Sequence, residues 1–74
     1  MLEQVKEFFD REYEETKRLL ENKPWWCKPK EAVYSSIQRC LGVAQFVQYV
    51  GVKYEELDCY DEVREKLENL LKEV

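Results

Sequence analysis

The sequence contains no histidine, and glycine and proline each occur only twice. Without histidine the chain lacks the side chain that most often serves as a general base near neutral pH. So few glycines leave no room for a glycine-rich phosphate loop, and little of the chain is left for long connections. These absences favour a small helical domain that is not an enzyme and that needs no cofactor.

Long hydrophobic stretches are also missing. The longest uncharged run covers residues 40–52, whereas a membrane-spanning helix needs roughly 20 apolar residues. The first ten residues carry acidic side chains where a signal peptide would have a basic start. We therefore expect a cytoplasmic protein that does not associate with membranes.

The three cysteines are an odd number, and their spacing matches no pair of zinc ligands, so we expect no metal site. In a helical hairpin arrangement, Cys27 and Cys59 would lie at opposite ends of the domain, with Cys40 facing inward between them. No two of them would then be close enough for a disulfide. We expect three free thiols, of which Cys27 is the most exposed.

Three segments repeat apolar residues at three- and four-residue spacing, with charged residues on the opposite face, which is typical of amphipathic helices. Pro24 and Pro29 bound the first connection, and Gly51 and Asp58 bound the second. Residues 1–74 are therefore predicted to form one all-α domain, a three-helix antiparallel bundle that runs up, down and up. The predicted helices cover about 2–22, 30–50 and 59–73, and an extra helical turn is compatible with 54–57.

The apolar residues of the second helix cover roughly 200° of its circumference, which is wider than a one-sided surface helix needs. This breadth predicts that the second helix packs between the other two. On the first helix, Glu12 lies near the edge of the apolar stripe, and we expect its carboxylate to reach solvent.

The back of the second helix has few charges. Ser35, Gly42 and Tyr49 are seven residues apart and fall on nearly one line, with Arg39 and Phe46 beside them; we call these five residues the outer strip. A glycine within a helix costs up to about 1 kcal/mol relative to alanine. Small residues here would let another helix approach closely, which predicts a homodimer. The alternative is a tolerated glycine beside two half-exposed aromatic side chains.

The segment 23–30, KPWWCKPK, is called the tryptophan loop below. Its residues Lys23, Lys28 and Lys30 surround Trp25 and Trp26. One interpretation is that one tryptophan closes the end of the bundle while the other covers its edge. The other is that both anchor a partner, either an acidic protein or a single-stranded nucleic acid.

Charge disfavours the nucleic acid. The chain has a net charge of −4, although residues 23–50 hold four bases against one acid, and phosphate contacts dominate affinity for nucleic acids. The general character is that of short bacterial proteins, and no motif identifies a family. The sequence thus predicts a non-enzymatic interaction or structural protein that self-associates through its second helix. The alternative is a small module that binds single-stranded nucleic acid or an acidic partner through the tryptophan loop.

Overall fold

The computed structural model describes residues 2–53 and 57–73, which form three α-helices that all contact one another. They are α1 (Leu2–Asn22), α2 (Pro29–Tyr49) and α3 (Asp58–Glu73). The predicted all-α three-helix bundle is confirmed. Three helix bounds differ by one residue from the prediction: α2 begins at Pro29 and ends at Tyr49, and α3 begins at Asp58 itself. The extra turn expected at 54–57 falls mainly on residues outside the described ranges.

The core lies along the shared axis of the helices. Its largest fully buried apolar side chains are Phe9 of α1, Val33 of α2 and Leu67 of α3. The ring of Phe9 meets the rings of Phe8 and Tyr60 edge to face, each at 6.2 Å between centroids, an arrangement that aromatic pairs favour. Each helix thus contributes its apolar stripe, as the three- and four-residue spacing predicts.

α2 ends where Gly51 was expected to cap it. The Val52 N–H donates a hydrogen bond to the Val47 carbonyl at 2.9 Å, and the Gly51 N–H donates one to the Gln48 carbonyl at 3.1 Å. These two bonds define a Schellman motif, which requires a left-handed residue at its centre. Gly51 has φ +117°, a conformation that side chains rarely permit. The cap satisfies carbonyl groups that the helix end would otherwise leave unpaired.

α1 ends in a less common way. Lys23 adopts φ +47°, and its N–H donates to the Leu19 carbonyl at 3.3 Å, which is a left-handed C-cap without glycine. Because Lys23 precedes Pro24, the sequence predicts that it leaves the helical conformation. The structure shows that it does so by entering the left-handed region, which costs a side-chain-bearing residue roughly 1–2 kcal/mol.

The two glycines are expected to respond oppositely to the same substitution. Gly51→Ala forces a side chain into the left-handed conformation and should lower the free energy of unfolding by about 1 kcal/mol. Gly42→Ala adds a methyl group at a helical position where no described atom lies within 4 Å, and it should raise that free energy by up to about 1 kcal/mol. Urea unfolding at low protein concentration measures both. Changes of the same sign would contradict these roles.

Candidate interaction surfaces

The seam between α1 and α2 holds a buried carboxylate. Glu12 is only 8% exposed, which corrects the expectation that it reaches solvent. Its Oε2 accepts hydrogen bonds from Ser36 Oγ and Arg39 Nη2, both at 3.0 Å, and its Oε1 accepts one from Arg39 Nε at 2.8 Å. The fork of the guanidinium matches the two carboxylate oxygens. Burial of the charge is therefore balanced by one cation and one hydroxyl group.

Sequence reasoning placed Glu12 at the edge of the apolar stripe because a lone carboxylate is rarely buried. The spacing of the sequence nevertheless indicated that Glu12 is buried. Glu12 stands three residues after Phe9 and four before Thr16, which are both buried, so it continues the core register of α1. The partner pair also follows helical spacing, because Ser36 and Arg39 are three residues apart and share one side of α2.

Arg39 belongs both to the seam between α1 and α2 and to the outer strip. Its guanidinium faces Glu12 on α1, and its side chain remains 55% exposed along α2. The hydrogen bond to Glu12 is the main cause that raises the pKa of Arg39 above its ordinary value. The structure thus places this member of the outer strip in a neutral pair, so it is not a free cation that could attract a partner by charge alone.

Replacing Arg39 should destabilise the bundle through Glu12. Arg39→Met leaves a buried carboxylate without its cation, and we expect the free energy of unfolding to fall by about 2–3 kcal/mol. Urea unfolding of Glu12→Met, Arg39→Met and the double variant measures the coupling. The double variant should regain much of the loss, because it removes both charges together.

The matched control for that cycle is Arg64→Met. Arg64 Nε lies 3.6 Å from Glu68 Oε1 on α3, and both side chains are about half exposed. Exposed ion pairs of this kind contribute roughly 0.2–1 kcal/mol. If Arg39→Met cost no more than Arg64→Met, the seam would not depend on the buried pair.

The outer strip carries two exposed aromatic side chains at the C-terminal end of α2. Phe46 is 63% exposed and Tyr49 is 89% exposed. Gly42 is one turn before Phe46, is exposed, and has open space where a side chain would be. Ser35 is also exposed. Within the part of the chain that the structure describes, nothing covers this end of the strip.

The tryptophan loop is equally open. Trp25 is 95% exposed and Trp26 is 62% exposed, so neither closes the end of the bundle. The residue of the loop that packs against the core here is Cys27, which is partly buried, as Cys59 is. All three lysines of the loop are exposed. Lys28 Nζ lies 3.9 Å from Glu31 Oε1, a weak surface contact.

A cleft of about 360 Å³ connects the loop with the strip. Trp26 lines one end of this cleft, and Ser35 and Arg39 of the outer strip line it further along α2. Leu19 and Glu15 form its α1 side. The structure therefore brings together members of two surfaces that the sequence treats separately, along one side of the α1–α2 pair.

Cys40 and Cys59 are not activated as nucleophiles. All three cysteines, which lie in described segments, are free thiols, as expected. Desolvation raises the pKa of Cys40 to about 11 and also raises the pKa of Cys59, which keeps both thiols protonated near neutral pH. Among the side chains of 2–53 and 57–73, no cluster of cysteine and carboxylate groups is arranged to hold a metal ion.

Comparison with known proteins assigns no relative: no family model matches the chain, and neither a curated protein nor a solved structure is significantly similar to it. Each helix within the described ranges is too short or too polar to cross a membrane. The surface features that suggest a function are the two exposed aromatic groups and the cleft that runs from Trp26 to Arg39.

Proposed function

We propose that this chain is a non-enzymatic interaction protein that associates with a second copy of itself through the outer strip of α2. The observation that carries the proposal is the exposure of Phe46 and Tyr49 beside the open position Gly42. Exposed aromatic side chains grouped on one face are typical of interaction sites. A glycine at this point permits a neighbouring backbone to approach closely, as in other tight helix contacts.

The size of the domain supports self-association. A chain of 74 residues exposes a large share of its apolar surface, and small domains often gain stability by oligomerisation. Phe46 and Tyr49 contribute nothing to the core of one chain, yet each buries on the order of 150–250 Å² when an interface covers it. A second copy of the chain is a suitable cover, because a two-fold contact requires a surface that complements itself.

The hydrogen bonds and the protonation of the buried polar groups support a role without catalysis. The carboxylate of Glu12 is occupied by Ser36 and Arg39, so it is not available as a general base. The raised pKa of Cys40 keeps that thiol protonated. Three free thiols suit a reducing compartment, and we place the protein in the cytoplasm on that basis.

Light scattering coupled to size exclusion tests the proposal. The chain should show dimer at high micromolar concentration, and Phe46→Asp should give monomer because a carboxylate inside the contact loses its solvation. Gln48→Asp is the matched control. It adds the same charge at an exposed position two residues away, which helical geometry puts on the other side of α2 from Phe46, and it should leave the dimer intact.

Gly42→Ala is a second test variant in this experiment. It should stabilise the monomer but weaken the dimer, since the added methyl group lies between the two helices. Circular dichroism confirms that each variant stays folded. A chain that remains monomeric at these concentrations, or a Phe46→Asp variant that dimerises normally, would rule out the proposal.

A second candidate function has its own supporting observation. Trp25 and Trp26 are both exposed among Lys23, Lys28 and Lys30, a combination that suits a single-stranded nucleic acid or an acidic protein. Single-stranded oligonucleotide added at low salt should then quench tryptophan fluorescence, and added salt should reverse the quenching. An acidic peptide serves as the parallel probe. A lack of response to both would exclude this function.

A further inference from the structure

We infer that the second copy lies antiparallel across α2, so that the tryptophan loop of each chain packs on Phe46 and Tyr49 of the other. This inference rests on the proposed self-association and specifies its geometry. It assigns the loop to the same interface as the outer strip, although the two aromatic groups lie at opposite ends of α2. Three independent features of the chain support the arrangement: symmetry, area and charge.

Symmetry permits both aromatic contacts at once. In a two-fold dimer, if residue i meets residue j of the partner, then j also meets i. Pairing Trp25 with Tyr49 centres the axis at position 37, and pairing Trp26 with Phe46 centres it at position 36. Trp25 and Trp26 precede the first residue of α2, Pro29, and Phe46 and Tyr49 lie in its last turn, so both pairs locate the axis near the middle of the helix. One axis near the middle of α2 therefore satisfies both pairs.

The surface at this axis tolerates a close copy of itself. Ser35 is small and exposed, and Arg39 is already neutralised by Glu12. Two copies that meet here do not bring unpaired like charges together. The cleft that runs from Trp26 past Ser35 to Arg39 gives the partner a continuous path along the α1 side of α2.

Area explains why the strip needs the loop. A standard interface buries about 800 Å² from each partner. At roughly 150–250 Å² per aromatic side chain, the exposed fractions of Phe46 and Tyr49 supply only about 230–380 Å². Adding the exposed fractions of Trp25 and Trp26 brings the aromatic total to about 460–770 Å² per chain. The four aromatic residues together approach what a stable dimer requires, and Phe46 and Tyr49 alone do not.

Charge selects the antiparallel direction. The loop end of the bundle carries Lys23, Lys28 and Lys30, and α3 finishes there with Lys72 in its last turn. The opposite end has acidic residues in the first turns of α1 and α3, and α2 finishes there with no basic residue in its last turn. The last turn of α2, at the negative end of its dipole, thus supplies no cation of its own.

An antiparallel partner places its lysines at this acidic end, and the same contact repeats at the other end of the dimer. A parallel partner would instead bring lysine against lysine and acid against acid. Opposite charges across an interface favour one orientation and suppress the other. The uneven charge distribution of the chain is therefore complementary to itself only when two copies run in opposite directions.

Tryptophan fluorescence tests the inference, because Trp25 and Trp26 are the only tryptophans of the chain. As concentration rises through the dimerisation range, emission should shift to shorter wavelength, and Phe46→Asp should abolish the shift. Trp25→Ala and Tyr49→Ala should each weaken the dimer at least about tenfold, the effect of a strong interface residue. Gln48→Ala, at an exposed position on the other side of α2 from Phe46, is the matched control and should have little effect.

A double-mutant cycle between Trp25 and Tyr49 decides the orientation. Within one chain these residues lie at opposite ends of a helix about 30 Å long, a separation at which substitutions act additively. If Trp25→Ala and Tyr49→Ala together weaken the dimer clearly less than the product of their separate effects, the two side chains meet across the interface. The pair Trp25 and Gln48 serves as the reference cycle and should be additive.

The outcomes separate this inference from the proposal on which it depends. A dimer that Phe46→Asp dissociates, but whose tryptophan emission does not change with concentration, keeps the proposed self-association and overturns the antiparallel arrangement. Additive effects of Trp25→Ala and Tyr49→Ala overturn it as well. Emission that responds to oligonucleotide and not to self-association assigns the loop to another partner. A strict monomer removes both statements.

Discussion

The packing of α1 on α2 depends on the buried carboxylate of Glu12. An unpaired charge in this position would cost several kcal/mol, so the two helices can meet only where Ser36 and Arg39 both reach it. Apolar side chains alone would tolerate small shifts along the seam, whereas three directed hydrogen bonds do not. The pair thus fixes which turn of α2 lies against which turn of α1, and the position of the outer strip follows from it.

The composition and periodicity of the sequence were sufficient to predict the three helices. Apolar spacing identified all three, and the prolines together with Gly51 located the connections to within about a residue. The left-handed conformation of Lys23 could not be predicted, because proline restricts the preceding residue without choosing among its remaining conformations. Contacts between side chains of different helices could not be predicted either, because the burial of Glu12 depends on two residues more than twenty positions away in the sequence.

The candidate surfaces were likewise predictable only in part. The outer strip could be recognised because helical spacing places Ser35, Gly42 and Tyr49 on one line. Nothing local determines whether a loop tryptophan turns inward, because that depends on what else fills the end of the bundle. Cys27 packs against the core there, and both indole rings remain exposed. The cleft that joins loop and strip depends on the angle between α1 and α2, which no single segment encodes.

The short connections of the bundle have a kinetic consequence. Most contacts of a helical hairpin join residues that are near in sequence, and such domains fold within microseconds to milliseconds. In the proposed self-association, encounters between two folded chains would proceed at about 10⁵–10⁷ M⁻¹s⁻¹, so at micromolar concentration each chain would wait on the order of a tenth of a second to ten seconds for a second copy. Each newly made chain would therefore exist first as a folded monomer with its tryptophans uncovered, and any competing partner would meet it in that interval.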